Sequence, residues 1–285
     1  IPDHSVFTRT SPGPNGPSRP VTISPRPGCW TQNSRVVFSS DMSSAPSSGG
    51  ARRQALADLV VGLGLALLVA AATWSVLDLP ATYVAAVGAL YAATAALILA
   101  TLPDALPRPG LGPANRVTII RTIGTLSLAG LVLYADALGT IGRWWVVGLG
   151  TAIMLLDGLD GWIARRTGTT TDFGGLFDME TDAFLMLVLS SLVWAEGRAG
   201  VWVLLIGAMR YLFVAAGFVL PALRGELFPS FRRKLVCVIQ GIALLVALGP
   251  IIPGPAALAV SALALAMLTW SFAVDTVWLL RPRTA

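Results

Sequence analysis

Charged residues are scarce in this chain, 12% of 285 residues, where 55% are hydrophobic; soluble domains carry roughly a quarter charged. Histidine is almost missing, with only His4 near the start, and the two cysteines, Cys29 and Cys237, stand far apart. These absences exclude a histidine base, a histidine-ligated metal, a disulfide framework and a zinc site. Acid–base and metal chemistry must therefore fall to carboxylates. The formal charge of +5 does not indicate a nucleic-acid partner, because no basic stripe interleaved with aromatics is present. The first stretch also lacks an apolar h-region, so it does not read as a secretory signal peptide.

What is present is a series of long apolar runs. Residues 1–50, rich in Ser, Pro, Gly and Arg, bury too little to repay ordering and are expected to be a disordered tail. From there the pattern predicts an all-α integral membrane protein, with segments of spanning length near 57–77, 81–102, 117–136, 143–164, 174–195, 199–221, 234–250 and 255–280. A Pro-rich break at Pro103–Pro113 separates the first two, covering 51–102, from a unit at 113–285. If the tail is cytoplasmic and the spans alternate, nearly all the basic residues fall on the cytoplasmic side and only Arg143 and Arg198 outside, as the positive-inside rule requires. That predicts a multi-pass cell-membrane protein with both termini cytoplasmic. Trp144, Trp145, Trp194 and Trp202 lie near span ends on the outer side and read as an aromatic belt.

The stretch DGLDGWIARRTGTTTDFGGLFDMETD runs from Asp157 to Asp182. Asp157 and Asp160 are three apart, and Asp178 and Asp182 four apart, so each pair shares a helix face. Consecutive helices joined by a polar turn through Thr167–Thr171 would bring all four acids together at the cytoplasmic face. Close carboxylates in a membrane protein repel and are costly. Mg²⁺ or Mn²⁺ relieves both problems, and four carboxylates can bridge two ions. Gly161, Ala164 and Gly174 leave a small-residue groove, and Arg165 offers a bidentate partner for phosphate. Together they point to a diphosphate-bearing substrate. Asp172, by contrast, reads as a helix N-cap.

These residues resemble the signature of the CDP-alcohol phosphotransferases, D-x-x-D-G-x-x-A-R, eight residues, G-x-x-x-D-x-x-x-D, at Asp157, Asp160, Gly161, Ala164, Arg165, Gly174, Asp178 and Asp182. The resemblance covers about 117–280 and implies a six-helix transmembrane core preceded by two extra helices. It implies transfer of a phosphatidyl or phospho-alcohol group from a CDP-linked donor, often CDP-diacylglycerol, to an alcohol, releasing CMP, in phospholipid biosynthesis. By the same resemblance Asp157, Asp160 and Asp178 are the principal metal ligands. Asp182 is the base for the acceptor hydroxyl and also touches metal, while Gly161, Ala164, Arg165 and Gly174 hold the cytidine diphosphate. Members often pair as homodimers.

Other residues carry two readings each. Asn115, Thr118 and Arg121 share a face of the segment 113–122, which resembles the interfacial segment before the family's first core helix; they face the nucleotide or anchor the interface. Arg210, inside an apolar span, binds an acceptor or lipid phosphate, or snorkels. Arg232, Arg233 and Lys234 anchor the cytoplasmic side and are candidates to grip an anionic acceptor or lipid head group. Gln240 lines a pocket or links helices. The family's phosphoglycerol branch carries Gly-Lys-x-x-Thr where this chain reads Phe231-Arg232-Arg233-Lys234. Inositol phosphate, glycerol phosphate, serine and a second lipid all stay open as acceptors. A transporter for a metal ion or lipid would also use intramembrane acids, but in symmetric halves at mid-membrane; here they cluster on consecutive helices.

Overall fold

The computed structural model describes residues 48–102, 111–167, 171–225 and 230–281. Most of the predicted disordered tail, with His4 and Cys29, therefore lies outside the described residues, as do most of the Pro-rich break and part of the Thr167–Thr171 turn. The described residues form helices and no strand: α1 (Ser48–Leu77), α2 (Thr82–Thr101), α3 (Gly112–Leu131), α4 (Gly139–Thr167), α5 (Asp172–Ala195), α6 (Leu204–Val219), α7 (Phe231–Leu248) and α8 (Gly254–Leu280). Short 3₁₀ turns extend α3 through Val132–Ala137 and precede α6 at Val201–Val203. Each helix falls on one of the eight apolar segments read from the sequence.

Local chemistry sets the ends. Asp78 takes a left-handed φ of 49°, a conformation aspartate tolerates, and the Leu79 N–H reaches back to the Trp74 carbonyl at 3.2 Å to close α1. Pro113 sits in the first turn of α3, where its missing N–H is harmless. Thr171, not the expected Asp172, caps α5: its Oγ1 accepts from the Gly174 N–H at 2.9 Å. Asp172 is one residue inside the helix. Gly197, at φ +64°, closes the other end of α5.

Six helices are long and apolar enough to cross a membrane by length and composition: α1, α2, α3 with its 3₁₀ extension, α4, α6 with its preceding turn, and α8. Charge keeps α5 and α7 out of that set, through Asp178, Glu180 and Asp182 in one and Arg232, Arg233 and Lys234 in the other. The protein is a multi-pass membrane protein, and large exposed side chains such as Leu133, Leu155 and Phe218 face lipid without penalty.

The centre of the bundle is α3. Of its apolar stretch 67% is buried, against 17–28% for the other five spans. Because lipid tails are as apolar as leucine, close packing and interhelical hydrogen bonds hold the helices together. At Gly207 of α6 an added Cβ would lie 2.2 Å from the Leu187 Cα, so only glycine lets α6 cross α5 this closely. The α1–α2 pair is tied to α3 by polar links. Tyr83 donates to the Ser127 carbonyl at 2.9 Å, and Asp58 accepts from the Leu111 N–H at 3.3 Å and pairs with Arg116 at 3.0 Å. Trp145 donates to Thr73 at 3.1 Å, so this indole joins α4 to α1. Gln240 donates to the Ala264 carbonyl at 3.0 Å and links α7 to α8.

Candidate active site

Asp178 and Asp182 stand one turn apart on α5, and Asp157 reaches them from the C-terminal half of α4. One carboxylate oxygen from each lies within 4.8 Å of the others. The backbone of Asp160, Gly161, Ala164 and Arg165 is helical in α4, but their side chains lie outside the described residues.

A cation sits among the three acids. Arg121, on α3, is completely buried; its guanidinium pairs with Asp157 at 3.0 Å and donates to Asp178 and Asp182. One guanidinium thus faces three carboxylates, an excess of negative charge inside the bundle. Exposure is graded: 42% for the Asp157 side chain and 38% for Asp178, but 18% for Asp182. Two acids are accessible from outside and the third lies deeper, which separates groups open to an entering ion from one held close to the protein interior.

This donor set suits a hard divalent metal in chemistry: Mg²⁺ and Mn²⁺ take oxygen ligands, and the triad offers three carboxylate oxygens within 4.8 Å of one another. The guanidinium among them demonstrates that the cluster accommodates positive charge.

The first turns of α5 are fitted to α3. A Cβ on Gly174 would fall 2.6 Å from Asn115 Oδ1 and 3.0 Å from Thr171 Oγ1, so this glycine lets the α5 cap close against Asn115, whose Nδ2 donates to the Leu111 carbonyl at 2.7 Å. Thr118 is buried, and its hydroxyl donates to the Ala114 carbonyl at 3.3 Å. Thr122 and Thr181, beside Arg121 and Asp182 in sequence, share a buried hydrogen bond of 3.2 Å between α3 and α5.

The basic candidates have partners of their own. Arg210, buried in α6, donates to Glu180 of α5, so the intramembrane arginine is not alone. Arg232 donates to the Ser271 carbonyl and hydroxyl at 2.8 and 2.7 Å and to Asp275 at 2.5 Å, and lies over the Trp270 ring. Arg233 donates to the same Asp275 at 3.4 Å. Lys234 is exposed. The structure therefore unites Asn115, Arg121, Asp157, Gly174, Asp178 and Asp182 around the start of α5, and joins Arg232 and Arg233 to α8.

Sequence reasoning did not single out Glu180 or Asp275, nor the acids as partners of Arg121. Asp275 had a signal, an acid in the apolar run of α8. Glu180 lies between the motif aspartates, and its position two residues from each, hence on another helix face, distinguishes it.

Residues 111–274 match the family model described as CDP-alcohol phosphatidyltransferase. No curated protein and no solved structure matches the chain.

Proposed function

The chain belongs to the CDP-alcohol phosphatidyltransferase family, and on that premise we propose that it moves a phosphatidyl or phospho-alcohol group from a CDP-linked lipid such as CDP-diacylglycerol to an alcohol, releasing CMP, in phospholipid biosynthesis. The observation that carries this reading is the meeting of Asp157, Asp178 and Asp182 around the buried Arg121. Family members are generally dependent on a divalent metal, and the acid triad can bind one.

In this reading Asp157, Asp160 and Asp178, with Asp182 in reach, hold two Mg²⁺ or Mn²⁺ ions. When bound, the ions supply charge neutralisation for the diphosphate and the departing CMP. Gly161, Ala164, Arg165 and Gly174 seat the cytidine diphosphate, with Asn115, Thr118 and Arg121 along its α3 side. Asp182 takes the proton of the acceptor hydroxyl as that oxygen bonds to the lipid-side phosphorus and the bond from this phosphorus to the CMP oxygen breaks. Holding both partners in place contributes as much as the proton transfer. Arg210, Arg232, Arg233 and Lys234 provide positive charge for an acceptor phosphate or lipid head group. The catalytic unit is 113–285, with 51–102 as two added helices and 1–50 as a cytoplasmic tail. The acid centre and both termini face the cytoplasm of a cell-membrane enzyme that pairs as a homodimer.

The test is CMP release from CDP-diacylglycerol by the full chain, with Mg²⁺ or Mn²⁺, across inositol phosphate, glycerol phosphate, serine and lipid acceptors. Release should vanish in EDTA. Asp178→Asn should fall below about a hundredth of wild type, since even residues that merely orient metal ligands cost 10–100-fold. Wild-type turnover in that variant would refute the assignment.

A further inference from the structure

Asp58 is the one acid in the sequence of α1. An acid in an apolar membrane helix is costly, and its partner shows what it is there for. Both groups that meet Asp58 belong to the start of α3: the Leu111 N–H donates to it at 3.3 Å, and Arg116 pairs with it at 3.0 Å. A helix start carries unsatisfied N–H groups and partial positive charge, and Leu111, at the N-cap position, has no polar side chain to serve it. Asp58 brings a carboxylate to that position from a different helix.

Its own placement is fixed by packing. Ala55 and Leu59, on either side of Asp58 in α1, are buried in an apolar cluster that also contains Leu111 and Ile119. Tyr91 of α2 donates to the Leu59 carbonyl at 2.9 Å, and a Cβ on Gly62 would lie 2.1 Å from the Tyr91 hydroxyl oxygen. Glycine at this position therefore lets α2 brace α1 where it meets α3. The contacts run on from there to the acid centre. The Leu111 carbonyl accepts from Asn115 Nδ2 at 2.7 Å, so Leu111 is gripped by Asp58 through its N–H and by Asn115 through its carbonyl. Asn115 Oδ1 stands 2.6 Å from where a Cβ on Gly174 would fall, and Gly174 is one turn before Asp178 on α5.

On the transferase reading above, which seats the cytidine diphosphate at Asn115 and Gly174, we propose that Asp58 is a positioning residue for the CDP-linked donor. It acts through Leu111, holding the start of α3 so that the Asn115 amide stays against the first turn of α5. Helices α1 and α2 lie outside residues 111–274, so a residue beyond the family's matched region sets the donor side of the site.

With the full chain in lipid nanodiscs, Asp58→Ala should raise the KM for CDP-diacylglycerol about tenfold, the scale of a lost hydrogen bond to a charged group. Its kcat and acceptor KM should change little. Alanine is apolar and a good helix former, so α1 still inserts. Asp58→Asn keeps an acceptor for the Leu111 N–H and should recover most of the loss. Arg116→Gln removes only an exposed ion-pair partner and should leave the donor KM near wild type. Asn115→Ala should raise the donor KM, and adding Asp58→Ala to it should raise it no further, because both changes act through one amide. Thr73→Ala cuts the tie from α1 to Trp145 and is the control for looser packing: its melting temperature should fall with the donor KM unmoved. Hydrogen exchange reads the placement without turnover, since in Asp58→Ala the amides of 111–119 and of 171–177 should lose protection together. Absence of CMP release from wild type would refute the transferase reading and leave the exchange arm to decide whether Asp58 sets the contact of α3 with α5. With release intact, an unchanged donor KM in Asp58→Ala would overturn the proposal. So would an equal rise in Thr73→Ala, additive effects in the double variant, or lost protection confined to α1.

Discussion

Two ionic clusters lie among the apolar helices, and they have opposite balances. At α3–α4–α5 three carboxylates surround one guanidinium, Arg121. At α7–α8 two guanidiniums, Arg232 and Arg233, share one carboxylate, Asp275. The second cluster also uses the Ser271 hydroxyl and carbonyl and the Trp270 ring, so Arg232 is held by several groups from α8. Excess acid at partly exposed positions creates demand for outside cations. Arginines engaged by a neighbouring helix act as a strut, whatever anion they also attract. A charged cluster inside a membrane protein is thus read by its balance and exposure rather than by its presence alone.

The comparison can be broken at either end. Its largest expected effect is Asp182→Asn, which should lower kcat about a thousandfold, within the range for loss of a positioned base, while the CDP-lipid still binds; CMP-release kinetics and donor titration separate the two. Next is Arg121→Met. Removing the resident cation leaves the acids to repel, and loss of one partner of a buried pair costs about 3 kcal/mol. The melting temperature in EDTA should drop, and millimolar Mg²⁺ or Mn²⁺ should restore most of it, because a ligand bound only by the folded state stabilises that state. Failure of metal to rescue would mean that the acids do not collect cations. The smallest is Asp275→Asn, costing about 2 kcal/mol as charge-assisted hydrogen bonds weaken. Its melting temperature should be equally low with and without metal. Rescue by metal there would erase the distinction between the two clusters.

How much of this could be read from the chain depends on the range of the interaction. Helix spans were legible because apolar runs and the Pro103–Pro113 break act within a few residues. The α5 pair was legible for the same reason, since spacing of four puts Asp178 and Asp182 on one face, and the link to Asp157 followed from a short connection. The place of Arg121 was not. Its spacing with Asn115 and Thr118 indicates one face of α3, but nothing local states what that face meets, and its partners lie 36, 57 and 61 residues away. Arg210 shows the same limit: an isolated arginine in sequence acquires Glu180 only when α5 packs on α6. The signature residues on α4 beyond Asp157 were legible as a motif, and their side chains lie outside the described residues.

Arg121 has one further consequence, for biogenesis. The chain emerges in order, so α3 reaches the membrane before α4 and α5 have been made. An arginine at mid-bilayer costs about 2.5–3.5 kcal/mol on insertion scales, less toward an interface, and none of its three aspartate partners yet exists. α3 is still long and apolar enough to span by itself, but its arginine gains its carboxylate partners only when the next two helices arrive. Loss of any of these acids should then reduce the amount of protein inserted as well as its turnover.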